Sequence, residues 1–249
     1  MALAQAEFNA NRTGPLTIAS GNCGAFLPFP IIAPTAFSSI AQRYESQPPA
    51  AYLPPGTDSS VVAGYAAQKK ALASTLRSKS AAVYNFFLRG SQNESAIVYL
   101  HPLSRGTVQL NPSDPYFTHP TVDWRALTNP ADADVLVEFT RFTRKYWSLP
   151  SLQKYQPVEA APGANVTDAK DIVSWLKGNM NPSVFHPIGT AAMMPRNLGG
   201  VVGQDLLVYG VKGLSVVDAS VFPDLPGAYT QQTVYAVAEK AADLIKGRQ

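Results

Sequence analysis

The sequence predicts an α+β chain: an antiparallel sheet with helices packed on one side. Three observations carry that expectation. Runs rich in Val, Ile, Tyr and Phe follow one another between residues 80 and 112, each bounded by Gly, Asn or Pro. Segments with helical spacing of apolar residues stand before and after this block instead of alternating with its strands. Neither Gly-x-Gly-x-x-Gly nor Gly-x-x-x-x-Gly-Lys-Ser/Thr occurs, so the chain marks no phosphate-cradling turn of a nucleotide-binding βαβ unit.

Taken in order, residues 1–60 are rich in Pro, Gly, Ser and Asn, and Pro28, Pro30 and Pro34 forbid a continuous helix or central strand there. This stretch is expected to be coil wrapped over a core. The first clear helix is "SSVVAGYAAQKKALASTLRSKS" (59–80), with Ser59 or Ser60 as cap and basic residues in its last turn. "SAAVYNFFLRG" and "SAIVYLHPLSRGTVQLNP" read as antiparallel strands, with "PLSRG" turning between two of them. "PADADVLVEFTRFTRKYWSLP" (130–150) is a second helix, acidic at its start, basic at its end and stopped by Pro150. "TDAKDIVSWLKGN" (167–179) is a third, with Thr167 as cap and Gly178 near its end. A short strand pair is expected around "DLLVYG" and "GLSVVDAS", followed by the last helix, "QQTVYAVAEKAADLIKG". Two segments, 1–184 and 185–249, are expected to form one compact unit.

Composition narrows the function classes. Hydrophobic residues make up 46% of the 249-residue chain and charged residues 15%, the balance of a compact globule. The formal charge of +3 is small and dispersed. Its nearest approach to a basic cluster, Arg141, Arg144 and Lys145, reads as a solvated helix face, so no nucleic-acid partner is expected. The single cysteine, Cys23, excludes an intramolecular disulfide and a multi-cysteine metal site, and reads as a small packed residue. No metal is expected. No apolar run approaches the ~20 residues that span a bilayer, and the first residues lack a basic region followed by an apolar core. A cytoplasmic location without membrane contact is the expectation. Three sequons, at Asn11, Asn93 and Asn165, leave secretion of a longer precursor open.

"YLHPLSRGTVQLNPSDP" (99–115), "NPSVFHPIGTAAMMPRNLGGVV" (181–202), "VYGVKGLSVVDASVFP" (208–223) and "QQTVYAVAEKAADLIK" (231–246) resemble, in order, the C-terminal half of the glucose–methanol–choline (GMC) oxidoreductases. "NANRTGPLT" (9–17) resembles the segment that opens that half. The resemblance implies a substrate-domain-like fold and descent from flavin enzymes that oxidise alcohols, whose N-terminal half contributes the dinucleotide turn. It places the first catalytic position on His186 and the second, His or Asn in relatives, on Tyr229. Phe185 and Gln231 are expected to bind substrate. Asp218, in the retained "DAS" (218–220), is expected to touch FAD only if flavin is held with a partner chain. Gly203 stands where relatives carry an aspartate. His101 and His119, each before a proline, read as structural.

Imidazole titrates near neutrality, so His186 can take a hydroxyl proton, whereas accepting a hydride is the cofactor's work. Without a flavin site of its own, the chain is expected to carry out non-oxidative acid–base chemistry on a small organic substrate, with specialised metabolites as one candidate class. Cyclisation, dehydration and isomerisation are the reaction types, with His186 and Tyr229 as acid, base or hydrogen-bond donor and no cofactor in the isolated chain. Two alternatives stay open: the C-terminal half of an FAD-dependent alcohol oxidoreductase that needs a separate flavin-domain chain, and a non-catalytic ligand-binding module. In the full-length family fold "GLSVVDAS" is an interior strand, so Val216, Val217, Val234, Ala236, Val237 and Leu244 need cover. A few hundred bared Å² cost several kcal/mol at ~25 cal/mol per Å². The proline-rich first 60 residues, a second copy, or a flavin-domain chain are the candidate covers.

Overall fold

The computed structural model describes residues 2–18, 23–89 and 94–248, with the side chains of Arg89 and Glu94 left out. The sequon at Asn93 lies outside the described residues, while Asn11 and Asn165 are exposed. The α+β class is observed, as helices combined with two small antiparallel sheets.

The first sixty residues are not coil. They form helix α1 (Ala2–Asn11), strand β1 (Cys23–Leu27), the short helix α2 (Phe29–Ile32) and helix α3 (Phe37–Ser46). The prolines punctuate these elements without abolishing them. Pro30 sits in the first turn of α2, where no N–H partner is required, and Pro28 falls just after β1. In α3, Ile40, Ala41 and Tyr44 bury one stripe. Cys23, expected to be packed, is exposed at the start of β1, an edge strand with little around its first residues.

Helix α4 (Ser59–Arg77) is capped by Asp58, whose Oδ1 accepts from Ser60 N–H at 2.8 Å, so the cap lies one residue before the expected serines. Strands β2 (Tyr84–Arg89) and β3 (Glu94–Tyr99) complete the sheet in the order β1-β2-β3, with Phe26 opposite Asn85 and Tyr84 opposite Tyr99. Strands β4 (Thr107–Gln109) and β5 (Thr121–Asp123) form a separate ribbon. The stretch "PLSRG" is therefore no hairpin turn. It carries the chain out of the first sheet, because a buried carboxylate on the next helix seizes its backbone, as described below.

Helix α5 (Pro130–Trp147) covers one sheet face. Tyr84 meets Phe139 edge-on at 4.9 Å and Phe86 meets Tyr146 at 5.2 Å, while Trp147 Nε1 donates to Ser95 Oγ at 3.3 Å. Asn129 caps α5, and Pro150 opens the short helix α6 (Pro150–Gln153) after the chain has already turned at Ser148. Arg144 is not a solvated charge. It grips Glu159 through Nε and Nη2 at 2.7–3.1 Å and donates to Gly163 O and Val166 O, fastening the loop that leads to α7 (Ala169–Asn179). Asp168, not Thr167, occupies the N-cap of α7 and makes no side-chain cap bond.

Apolar side chains gather in two clusters. The larger is built from Phe29, Tyr44, Leu76, Tyr84, Leu103, Val135, Phe139, Ile172 and their neighbours. The smaller holds Val202, Leu206, Val221, Phe222 and Ala241, with Val216, Val217, Val234, Val237 and Leu244 only half-buried against it. The last helix, α8 (Thr230–Lys246), packs on the second cluster. The expected strand pair is reduced to isolated bridges, Leu207 with Ser215 and Val202 with Val208, reinforced by Val208 N–H to Leu214 O at 2.9 Å. Helix α4 joins the clusters through Gly64, where a Cβ would lie 2.1 Å from Leu198 O; only glycine lets the two backbones come so close.

Candidate active site

The two stretches around His186 and Asp218 are zipped together. Ala191 N–H donates to Ser220 O at 2.9 Å and Met193 N–H to Val221 O at 2.8 Å, so residues 191–193 lie along the 3-10 turn Ala219–Val221. Gly189, at φ +84°, passes so close that a Cβ would sit 3.3 Å from Phe222 O. His186 precedes this zipper and Tyr229 follows it, which brings residues 43 positions apart together: the ring centroids are 6.0 Å apart at 62°. Tyr229 meets Phe26 edge-on at 5.6 Å. A row of three rings results, drawn from β1, the His186 loop and the N-cap of α8.

Local backbone explains the orientation. Phe185 adopts φ +64°, the left-handed region that a bulky side chain rarely enters, and its ring is 95% exposed. The next residue, His186, is only half-buried, and its backbone N–H donates to Ser183 Oγ at 3.4 Å. Burial pushes its imidazole below its ordinary value of 6.5, which favours the neutral ring that can accept a proton. Tyr229 is the N-cap of α8 but makes no side-chain cap bond, so its ring is left for the aromatic row. Gln231, in the first turn of α8, is exposed. Asp218 is exposed too, and its Oδ1 accepts Ser220 N–H at 2.8 Å. His186 and Tyr229 are thus brought together, with Phe185 adjacent in sequence and projecting outward.

The other histidines differ in setting. His101 is buried, its Nε2–H donates to Ala82 O at 3.0 Å, and burial pushes its imidazole down against the opposing pull of that carbonyl. His119 is exposed. At Gly203 a Cβ would sit 2.8 Å from Asp205 Oδ1, and that carboxylate oxygen accepts Leu207 N–H at 3.1 Å. A carboxylate is thus present in this turn, two residues later than the resemblance would place it.

Several supports of the site left no local mark in the sequence. Gln68 Nε2 donates to Pro223 O at 2.6 Å, tying α4 to the segment before Tyr229. Arg105 Nη2 reaches Asp224 Oδ1 at 3.3 Å, a partnership across 119 residues that no motif announces. Phe26 carries no motif of its own either: it sits in the short strand Cys-Gly-Ala-Phe-Leu, directly before Pro28 and Pro30.

Beneath these supports lies a buried carboxylate, Asp132, in the first turn of α5 and 2% exposed. It accepts Leu103 N–H and Ser104 N–H at 2.7 Å each, Ser104 Oγ–H at 2.6 Å, Tyr99 OH at 3.3 Å and Tyr44 OH at 3.4 Å. Burial pushes its carboxyl up; the Leu103 and Ser104 donors and the Arg105 charge oppose it. Tyr44 and Tyr99 bond each other, and burial raises both phenols well above their ordinary value. A cavity of about 600 Å³ between α3, α5 and α7, lined by Arg43, Asp134, Arg141 and Lys177 among others, includes neither His186 nor Tyr229. Among the described residues no three His, Cys, Asp or Glu side chains gather as a metal site, and no helix is long and apolar enough to cross a membrane.

The fold and its motifs have known counterparts. Residues 102–238 match the family model for the C-terminal domain of GMC oxidoreductases. The dehydrogenase xptC of Emericella nidulans is 34% identical over 215 residues, which cover 86% of this chain and 34% of that protein. The glucose oxidase-like protein fsoC of Humicola fuscoatra is 40% identical over 153 residues, 59% of this chain and 25% of that one. Among solved structures, an FAD-dependent oxidoreductase from Chaetomium thermophilum superposes on 99% of this chain and 42% of its own, with a TM-score of 0.90 and 34% identity. A fungal aryl-alcohol oxidase gives a TM-score of 0.87 at 38% identity, over 98% of this chain and 41% of its own. The chain spans about a third of the length of the first of these curated relatives. With the family model covering more than half of its residues, and the chain superposing almost end to end on part of two solved structures, the chain belongs to the glucose–methanol–choline oxidoreductase family.

Proposed function

We propose that this chain is the substrate-side half of a flavin-dependent oxidoreductase acting on CH–OH groups, with His186 as the proton acceptor. The observation that carries the reading is the pairing of a half-buried imidazole, held toward its neutral form, with the Tyr229 ring at 6.0 Å. Oxidation of an alcohol leaves a hydroxyl proton to be removed, and a neutral imidazole near physiological pH is suited to that transfer. Tyr229 OH can donate a hydrogen bond that orients the substrate oxygen, while Phe26, edge-on to Tyr229, and the outward-facing Phe185 offer apolar surface to a substrate. Gln231 offers a polar contact from the first turn of α8.

The residues present fit part of a flavin. The exposed Asp218 and its turn, with one carboxylate oxygen already bound to Ser220 N–H, suit contact with a ring edge, and the sequence carries no Gly-rich turn for the phosphates. When bound, FAD supplies the two-electron acceptor. The half-buried Val216, Val217, Val234, Val237 and Leu244, next to Leu214 (49% exposed) and Tyr235 (66% exposed), give a partner segment an apolar surface to cover.

A non-oxidative acid–base enzyme is the competing reading, favoured by the completeness of the His186–Tyr229 pair within this chain. One experiment separates the two. The chain is purified alone and together with the flavin-binding part of the Chaetomium thermophilum enzyme supplied as a second polypeptide. It is then challenged anaerobically with a panel of alcohols. The expected result is a yellow complex whose flavin bleaches with one of the alcohols, and an H186N complex that stays yellow but bleaches ~10²–10⁴-fold more slowly. Conversion of a substrate by the colourless chain alone, or bleaching by H186N at the wild-type rate, would overturn the proposal.

A further inference from the structure

Tyr229 is delivered by an irregular segment, 222–229, and its place against His186 depends on how that segment is fastened. Phe222 anchors its start in the second cluster and Tyr229 ends it against Phe26, and three contacts fasten the stretch between them. Gln68 Nε2 donates to Pro223 O at 2.6 Å. Gly227 lies against the end of the sheet, where a Cβ would sit 3.2 Å from Ala82 O and 3.7 Å from His101 Nε2. The third joins Arg105 Nη2 to Asp224 Oδ1 at 3.3 Å, and it is the one charged contact of the three.

Arg105 is itself held on several sides. Its Nη1 donates to Pro102 O at 2.7 Å and to Ser104 O at 3.3 Å. Its guanidinium carbon lies 5.2 Å from the ring centroid of Tyr65, whose hydroxyl donates to Leu103 O at 2.8 Å. The backbone of Leu103 and Ser104 is in turn fixed by Asp132. A continuous series of contacts therefore runs from the start of α5 through residues 102–105 to Asp224, five residues before Tyr229. With side-chain exposures of 28% and 29%, the ion pair is only partly open to water, so it is screened less than a fully exposed pair.

We propose that Arg105 and Asp224 are positioning residues that set the Tyr229 ring against His186. Among the described residues, no hydrogen bond, ion pair or cation–π contact joins either side chain to the rings of His186 and Tyr229; both act through segment 222–229. The inference rests on the reading of His186 and Tyr229 as the site, and it adds an account of what keeps that site in shape. Arginine is needed in this role because its planar fork serves two backbone carbonyls and a carboxylate at once, which an ammonium on a flexible stem cannot reproduce.

The test reads geometry directly and needs no substrate. The chain has three histidines, so a ¹H–¹³C spectrum of ring-labelled histidine has three sets of signals, assigned with H119N, H186N and elimination. Y229A marks where the His186 Cε1–H signal falls without the neighbouring ring. D224N is expected to shift that signal toward the Y229A position while leaving His119 unmoved. R105K should shift it in the same direction, and D224E should restore it. Circular dichroism identifies any variant that fails to fold, and R105K, the milder change, then decides. A His186 signal at the wild-type position in both folded D224N and folded R105K refutes the positioning role, whatever the flavin experiment returns. A shift in D224N that D224E leaves uncorrected refutes the charge as its basis.

Discussion

Replacing Asp132 by alanine is the sharpest probe of how this fold is held together. The carboxylate accepts two backbone N–H groups at 2.7 Å, that of the buried Leu103 and that of the half-buried Ser104, and no rotamer change can redirect them. Leaving each unsatisfied costs ~1–3 kcal/mol. The Ser104 hydroxyl can rotate, and Tyr44 and Tyr99 still have each other. Against the loss stands a gain: a buried carboxylate whose pKa is pushed up by desolvation no longer has to be carried. Setting one against the other, D132A should destabilise by ~3 kcal/mol, or ~6–12 °C in Tm at 2–4 °C per kcal/mol for a chain of this size. D132N keeps one acceptor oxygen while turning an NH2 group toward the remaining donors, and should fall between wild type and D132A. Urea denaturation at neutral pH, followed by circular dichroism and tryptophan fluorescence, measures both variants. A D132A midpoint equivalent to within ~0.5 kcal/mol of wild type would show that water satisfies those amides and that the pin is dispensable.

Gly64 and His186 give two further outcomes. G64A gains about 1 kcal/mol of helix propensity but puts a methyl 2.1 Å from Leu198 O, a backbone atom, so the overpacking cost of ~1–3 kcal/mol prevails; a thermal melt higher than wild type would contradict the packing between α4 and residues 196–198. The folded-state pKa of His186 is lowered, so native protein binds fewer protons there than unfolded chain does. Its contribution to stability is whole above the unfolded value of 6.5 and is lost as pH falls toward the folded pKa. In a ring-carbon NMR titration the His186 midpoint should therefore lie below 6.5, and a midpoint above it would reverse the sign.

Much of this protein was legible in its residues because the signals were local. Periodicity marked α4, α5, α7 and α8, and the aromatic and β-branched runs marked β2 and β3. The block "FHPIGT" marked His186 by resemblance. What was missed shares a physical cause. Pro28, Pro30 and Pro34 do exclude a continuous helix or central strand, but the coil expected for residues 1–60 does not follow from that, because α2 and the edge strand β1 place their prolines at element boundaries. A hairpin was expected at "PLSRG" because turn residues announce a change of direction without saying which group will claim the backbone.

The sequence by itself determined the family, the α+β class and the residue types available for proton transfer, since each is encoded within a few tens of residues. Only the tertiary structure decided that Phe26 completes the aromatic row, that Asp132 sends the chain out of the first sheet, and that Arg105 meets Asp224 across 119 residues. Contacts between distant segments depend on the path of the whole backbone, and no local pattern of side chains specifies that path on its own.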